Sequence, residues 1–228
     1  MKKVIVISLG GSQIIQDNKI NLKFLQNFRD IIKKNRKYKF VVVCGGGSVA
    51  RMYINGLRGD GKNIKFQSFA GISVTRTNAR FMSYFFGKDH FDGIPHKMTD
   101  VKKRLKKESI VFCGALEYRP NQTSDSTSAQ IAKELKTEFI NLTNVDGLHD
   151  KNPLKYRNVR LISDIGWKEF DKMASKIAFS PGQHFVLDQK AAKIIKNNKI
   201  KTYIIGQNLK NLESVLEGKN FIGTLIYG

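Results

Sequence analysis

Two runs of glycine, each directly behind a stretch of β-branched residues, are the first chemical signal in the sequence. Residues 40–43 are Phe-Val-Val-Val, Cys44 follows, and Gly45, Gly46 and Gly47 lead into Ser48-Val49-Ala50-Arg51. A short apolar β-branched run predicts a buried strand, and residues 48–51 predict the first turn of a helix. Residues 4–9 (Val-Ile-Val-Ile-Ser-Leu) repeat the device and end in Gly10-Gly11-Ser12. Where side chains are missing at such a turn, an anion can reach the backbone N–H groups. The N-terminus of the following helix favours its charge. Two such units on one sheet could hold two phosphate groups face to face. The plain alternative is that both runs are ordinary tight turns.

The elements that must position these turns alternate along the chain. Leu25, Phe28, Ile31 and Ile32 form a helical stripe over residues 22–35. Further helices are predicted from residue 48, over 71–87, 98–107, 128–135, 164–175, 188–198 and 209–217. Thr127-Ser128-Ala129-Gln130 reads as a capping box that opens the helix at 128. Strands are predicted at 40–44, 109–113, 137–143, 201–205 and 224–227. Residues 55–63 read as a glycine-rich loop. Residues 144–153 (NVDGLHDKNP) read as a turn-rich loop with Asp-Gly and Asn-Pro signals. Strand–helix alternation of this kind predicts an α/β fold with a largely parallel sheet, and ligands bind at the carboxyl ends of such strands.

The 228 residues suit one domain, and 41% hydrophobic residues suit a globular chain. No apolar run approaches the ~20 residues that span a bilayer, so a cytoplasmic protein is expected. The net charge of +21, from 40 basic against 19 acidic residues, could indicate nucleic acid, an acidic membrane face or anionic substrates. The lysines are scattered, as at Lys33, Lys34, Lys102, Lys103, Lys106, Lys107 and Lys196. No helix joins a basic face to aromatic residues in a recognisable module, so no specific nucleic-acid partner is expected. Cys44 and Cys113 form no Cys-x-x-Cys pair, and the four histidines show no zinc-ligand spacing.

Two motifs match in part only. Gly45–Ala50 satisfies G-x-G-x-x-A, but no acidic residue follows about 20 positions later, as a dinucleotide fold requires. Residues 56–63 (GLRGDGKN) come within one residue of a P-loop, with Asn63 in place of the Ser or Thr that would hold Mg²⁺.

Four stretches converge at predicted strand ends: 7–12 (ISLGGS), 44–51 (CGGGSVAR), 123–129 (TSDSTSA) and 143–153 (TNVDGLHDKNP). With residues 71–79 (GISVTRTNA) and 186–206 (VLDQKAAKIIKNNKIKTYIIG), the chain resembles the amino acid kinase family, and most its archaeal-type uridylate kinases. The resemblance implies a single three-layer αβα domain, with an acceptor half over about residues 1–135 and an ATP half over about 136–228. It implies transfer of the ATP γ-phosphoryl to UMP, in pyrimidine nucleotide synthesis, with Mg²⁺ bridging the phosphates, and a homohexamer.

Phosphoryl transfer between two phosphates needs in-line positioning and charge neutralisation more than covalent chemistry. By resemblance, Gly10, Gly11, Ser12 and Gly47 would hold the ATP phosphates, with Arg51 adding positive charge. Thr143, Asn144, His149 and Asn152 would line the adenosine. Gly46, Ser68, Gly114, Thr123 and Ser124 would surround UMP. Asp125 and Asp188 would orient donors near the phosphoryl group, although either could simply cap a helix.

The chain departs from the family pattern in three places. Ser8 stands where many members have Lys, Ser68 where uridylate kinases hold an Asp to the ribose, and residues 115–122 replace a shorter loop that starts Gly-Thr. The acceptor could therefore be another small phosphate or alcohol. A non-catalytic nucleotide binder and a basic nucleic-acid-binding protein are the remaining alternatives.

Overall fold

The computed structural model describes residues 2–89, 93–120, 122–151, 158–176 and 186–228. The first third runs β1 (Lys3–Leu9), α1 (Gly11–Ile14), β2 (Ile15–Gln16), β3 (Lys19–Ile20), α2 (Leu22–Lys34), β4 (Tyr38–Cys44), α3 (Gly47–Gly59) and α4 (Ile64–Phe85). The middle holds α5 (Met98–Lys107), β5 (Ile110–Cys113), α6 (Ser124–Leu135), β6 (Phe139–Leu142) and β7 (Leu148–His149). The remainder is β8 (Leu161–Ile162), β9 (Asp164–Ile165), α7 (Trp167–Ala174), α8 (Gln189–Asn197), β10 (Thr202–Ile205), α9 (Leu209–Glu217) and β11 (Thr224–Ile226).

Seven strands form one sheet in the order β5-β4-β1-β6-β10-β11-β9. All neighbouring pairs are parallel except β10 with β11, which run antiparallel. Alternation along β1 sends Ile5, Ile7 and Leu9 to one face, where they pack with Leu25, Phe28, Met82 and Leu212 of α2, α4 and α9. Val6, Val41 and Val43 face the other way, onto Leu105, Ala129, Phe170 and Ile195 of α5 to α8. The sheet therefore lies between two helical layers, and the parallel strands are buried on both faces. Within the buried part of β1 one residue breaks the apolar pattern. Ser8, 1% exposed, follows Val6 on the second face and stands between Val43 and Asn141 in register.

Several boundaries differ from expectation. α4 starts at Ile64 rather than at residue 71, because Asn63 caps it by accepting from the N–H groups of Lys65 and Phe66. Gly56 and Gly59, read as loop, lie inside α3. The near P-loop match is thus the end of one helix and the cap of the next. α6 starts at Ser124, four residues before the expected point. Its cap is Thr123, while Thr127 lies inside the helix and donates to the Thr123 carbonyl at 3.1 Å. Residues 164–165 form β9 instead of helix, and two short hairpins, β2–β3 and β7–β8, carry no signal that patterning alone detects.

Candidate active site

The register aligns the ends of five strands. Leu9 is level with Cys44 and Leu142, Leu142 with Ile205, and Val43 with Cys113. Both glycine turns, Gly114 and Thr143 all follow these ends, so the topology brings them to one edge of the sheet. Residues far apart in sequence meet there because β1 takes the centre.

The two glycine turns touch through their backbones. A methyl group on Gly11 would lie 2.1 Å from the Gly47 nitrogen and 2.6 Å from the Gly46 carbonyl carbon. One on Gly45 would lie 2.7 Å from the Gly11 nitrogen. Gly47 has φ of +64° and its Cβ would meet the Gly11 carbonyl carbon at 2.7 Å, so that position excludes side chains twice over. Gly46 faces elsewhere: its Cβ would lie 3.6 Å from Thr75 on α4 and 2.4 Å from the Ala50 side chain. Open space for an anion is therefore only part of what these glycines provide. Gly11, Gly45 and Gly47 also let one loop seat on the other. The Ser48 hydroxyl and the Gln13 amide, beside the two turns, are buried with no hydrogen-bond partner among the described residues. The first turn of α3 holds no acidic residue, which leaves the positive end of its dipole uncompensated.

α4 clamps two of the strand ends. Asn78 donates its amide to the Gly45 carbonyl at 2.7 Å. Three residues earlier, Thr75 accepts from the Ala115 N–H at 3.0 Å, and a Cβ on Gly114 would lie 2.6 Å from the Thr75 hydroxyl. Arg76 donates through Nε to the Ala115 carbonyl at 3.1 Å and through Nη2 to that of Leu116. Ser68 lies one turn into the same helix, and its hydroxyl turns back to the Ile64 carbonyl at 2.8 Å. It is neither the residue that caps α4 nor bonded to either acceptor-side glycine.

The carboxylates meet at the first turns of α6 and α8. Asp188, 2% exposed, caps α8 by accepting from the Ala191 N–H at 2.8 Å. It also accepts from the Ser126 N–H at 3.2 Å, the Ser126 hydroxyl at 2.6 Å and the Thr123 hydroxyl, and so ties α6 to α8. Asp125 is not the cap of α6. Thr123 is, accepting from the Asp125 N–H at 3.1 Å, which frees the Asp125 carboxylate to reach the centre of the sheet. There it accepts from the Ser8 hydroxyl at 2.8 Å. Burial pushes the Asp125 carboxyl up to about 7, the neighbouring Asp188 adds to the rise, and the Ser8 hydrogen bond opposes it.

The remaining expected residues within the described part of the chain do not join that network. Ser12 lies in α1 and Ser124 opens α6. Arg51, in the first turns of α3, is half-buried and makes no hydrogen bond or ion pair among the described residues. Thr143 donates its hydroxyl to the exposed Asn144 at 3.3 Å, and His149 Nε2 stands 3.3 Å from Asp146 Oδ1. Asn152 lies outside the described residues. No group of three or more His, Cys, Asp and Glu converges among the described residues. A divalent ion here would depend on substrate phosphates for most of its ligands.

Sequence reasoning left Thr75, Asn78 and Ser126 without a role, and read Ser8 only as a missing lysine. Thr75 and Asn78 had a detectable signal. Polar residues at i and i+3 on a helix that must pack against a sheet edge have to bond to something there. Ser8 was visible too, as the polar residue in an otherwise apolar, doubly buried strand.

Comparison with known proteins places this arrangement. The family model described as the amino acid kinase family matches residues 3–206. The uridylate kinase of Thermoplasma volcanium is 32% identical over 227 residues, covering 99% of this chain and 98% of that one. The crystal structure of uridylate kinase from Archaeoglobus fulgidus superposes with a TM-score of 0.82 at 30% identity, covering 99% of this chain and all of the other. UMP kinase from Ureaplasma parvum, at 22% identity and a TM-score of 0.77, shares the fold. With that match across most of its length, the chain belongs to the amino acid kinase family.

Proposed function

We propose that the protein is an ATP-dependent UMP kinase that transfers the γ-phosphoryl group to the UMP phosphate and gives UDP. The observation that carries the reading is the pair of glycine turns in backbone contact at one sheet edge, beside the partly buried Ser8–Asp125 pair. The near-full-length likeness to archaeal uridylate kinases supplies the acceptor.

In this reading Gly10, Gly11, Ser12 and Gly47 hold the ATP phosphates, and the N-terminus of α3 with Arg51 offsets their charge. Gly46, Gly114, Thr123 and Ser124 surround the UMP phosphate, with Ser68 on the ribose side once its hydroxyl leaves the Ile64 carbonyl. Thr143, Asn144, His149 and Asn152 line the adenosine. The acceptor phosphate is already a nucleophile, so Asp125 is not a base: it orients donors at the transferred group, and Asp188 holds the helix that carries it. Mg²⁺ would supply charge neutralisation at the transferred group. The buried, unpartnered Ser48 hydroxyl beside Gly47 fits a phosphate-bearing site that completes its bonding.

The acceptor half falls at about residues 1–135 and the ATP half at about 136–228. Met52 and Tyr53 on α3 and Ile64 and Phe66 on α4 are exposed apolar side chains. They support a homo-oligomer, a hexamer by family likeness. No helix among the described residues is long and apolar enough to cross a membrane. We place the enzyme in the cytoplasm, in pyrimidine nucleotide synthesis, with its positive charge on a solvated surface. A coupled assay over nucleoside monophosphates and small alcohols tests the reading. UDP formation that requires UMP, ATP and Mg²⁺ is expected, and turnover of some other phosphate or an alcohol in its place overturns it.

A further inference from the structure

The acceptor side contains an aromatic corner that none of the catalytic residues explains. The Phe69 and Tyr118 rings stand 5.1 Å apart between centroids at 74°. Phe69 is 39% exposed, Phe66 meets it edge-on at 6.4 Å, and the Lys65 ammonium lies 5.8 Å from its centroid. The position of the pair follows from two anchors. Phe69 adjoins Ser68 and stands two residues before Gly71, whose carbonyl oxygen lies 3.7 Å from where a Cβ on Gly46 would be. Arg76, seven residues on and therefore on the same helix face as Phe69, holds the carbonyls of Ala115 and Leu116. Tyr118 is thus carried by a segment fixed at both ends: Arg76 and Thr75 hold its start, and Lys190 donates to the Pro120 carbonyl at 3.1 Å.

We propose that Phe69 and Tyr118 form the corner that receives the flat base of the acceptor nucleotide, an inference that rests on the phosphoryl-transfer reading above. Two rings near a right angle make an L-shaped recess. A planar heterocycle lies against one face and meets the edge of the other, the arrangement aromatic quadrupoles favour. The adjacent Ser68 hydroxyl is directed to Ile64, so this wall offers the acceptor a shape and a stacking surface more than polar partners. Tyr118 belongs to the segment 115–122 where this chain departs from the family pattern, and Phe69 adjoins a second departure, Ser68. They give the altered residues a shared task as determinants of acceptor specificity.

Calorimetric titration of UMP and of ribose 5-phosphate, which keeps the sugar and phosphate but lacks the base, tests the assignment. Wild type is expected to prefer UMP. Phe69→Ala and Tyr118→Ala should each weaken UMP by about 10-fold, as base stacking does, and leave ribose 5-phosphate and ATP unchanged. Tyr118→Phe should retain wild-type behaviour. If both alanine variants keep the UMP to ribose 5-phosphate ratio, the corner is overturned. The same holds if ATP affinity falls equally, or if the variants only dissociate an oligomer on size exclusion. A wild type that prefers UMP but forms no UDP removes the kinase reading and keeps the corner. One that forms UDP without preferring the base keeps the kinase and removes the corner.

Discussion

Asp125 and Asp188 occupy similar places, at or beside the first turn of neighbouring helices, and their surroundings assign them opposite work. Asp188 takes donors from Thr123, twice from Ser126, and from the Ala191 N–H. Its lone pairs are used within the protein, and it joins two helices. Asp125 takes one described donor, the Ser8 hydroxyl. Its carboxyl is pushed up to about 7 by desolvation and by the neighbouring Asp188, with only the Ser8 hydrogen bond opposing the rise. A saturated carboxylate holds a structure together, and an under-coordinated one beside a ligand edge is available for chemistry. Residue type and helix position alone do not separate the two.

Replacing the saturated member should give the largest effect. Asp188→Ala removes a helix cap and leaves two hydroxyls unpaired, for a loss of about 3 kcal/mol in urea unfolding. A loss under about 1 kcal/mol would place it level with Asp125 and break the comparison. Asp125→Asn should do the reverse, lowering kcat at least about 100-fold with stability at neutral pH no lower than wild type. Steady-state kinetics check this, and a fully active Asn variant removes Asp125 from the site. The pH dependence sharpens the contrast. Asp125 is raised to about 7 in the folded chain, whereas an unfolded aspartate titrates near ~4. Between those values the folded state keeps a proton that the unfolded state has released. Relative to Asp125→Asn, wild-type stability therefore falls as pH rises through that window, and levels off above 7. Ser8→Ala should give the smallest effect. The lost hydroxyl no longer holds the carboxyl down, so the limb of kcat that Asp125 controls moves upward in pH. Stability changes by about 1 kcal/mol, read from the same urea unfolding.

Much of the fold was legible. Apolar β-branched runs gave β1 and β4, and the stripe of Leu25, Phe28 and Ile32 gave α2, because burial on a fixed period is a local property. The start of α6 was misread because Thr123 and Thr127 both satisfy the local chemistry of a cap. The choice between them depends on Asp188, 65 residues away from Thr123, which takes the Thr123 hydroxyl. For the site, the glycines announced close approach but not by what. Gly11 is closed to side chains by the backbone of Gly46 and Gly47, a contact between two turns that neither turn encodes alone. Ser8 and Asp125 were each visible, while their bond requires knowing that β1 stands beneath the first turn of α6. The strand at β11 was legible, but its antiparallel direction was not, since strand direction depends on where the preceding helix returns the chain.

β1 lies between β4 and β6, and its edge toward β6 closes only through distant partners: Thr137 donates to the Val4 carbonyl across 133 positions of chain. β4 is at hand soon after β1 is made, but β6 is not. At roughly 5–20 residues per second of synthesis, β1 waits on the order of 10 s with one edge of backbone donors and acceptors unmatched. That edge is apolar and β-branched, the composition that recruits foreign strands. The interior strand that later supports the Ser8–Asp125 bond is thus exposed to mispairing while the chain is made. Refolding of the intact protein should be limited by the arrival of β6, since long loops must close before their contacts contribute.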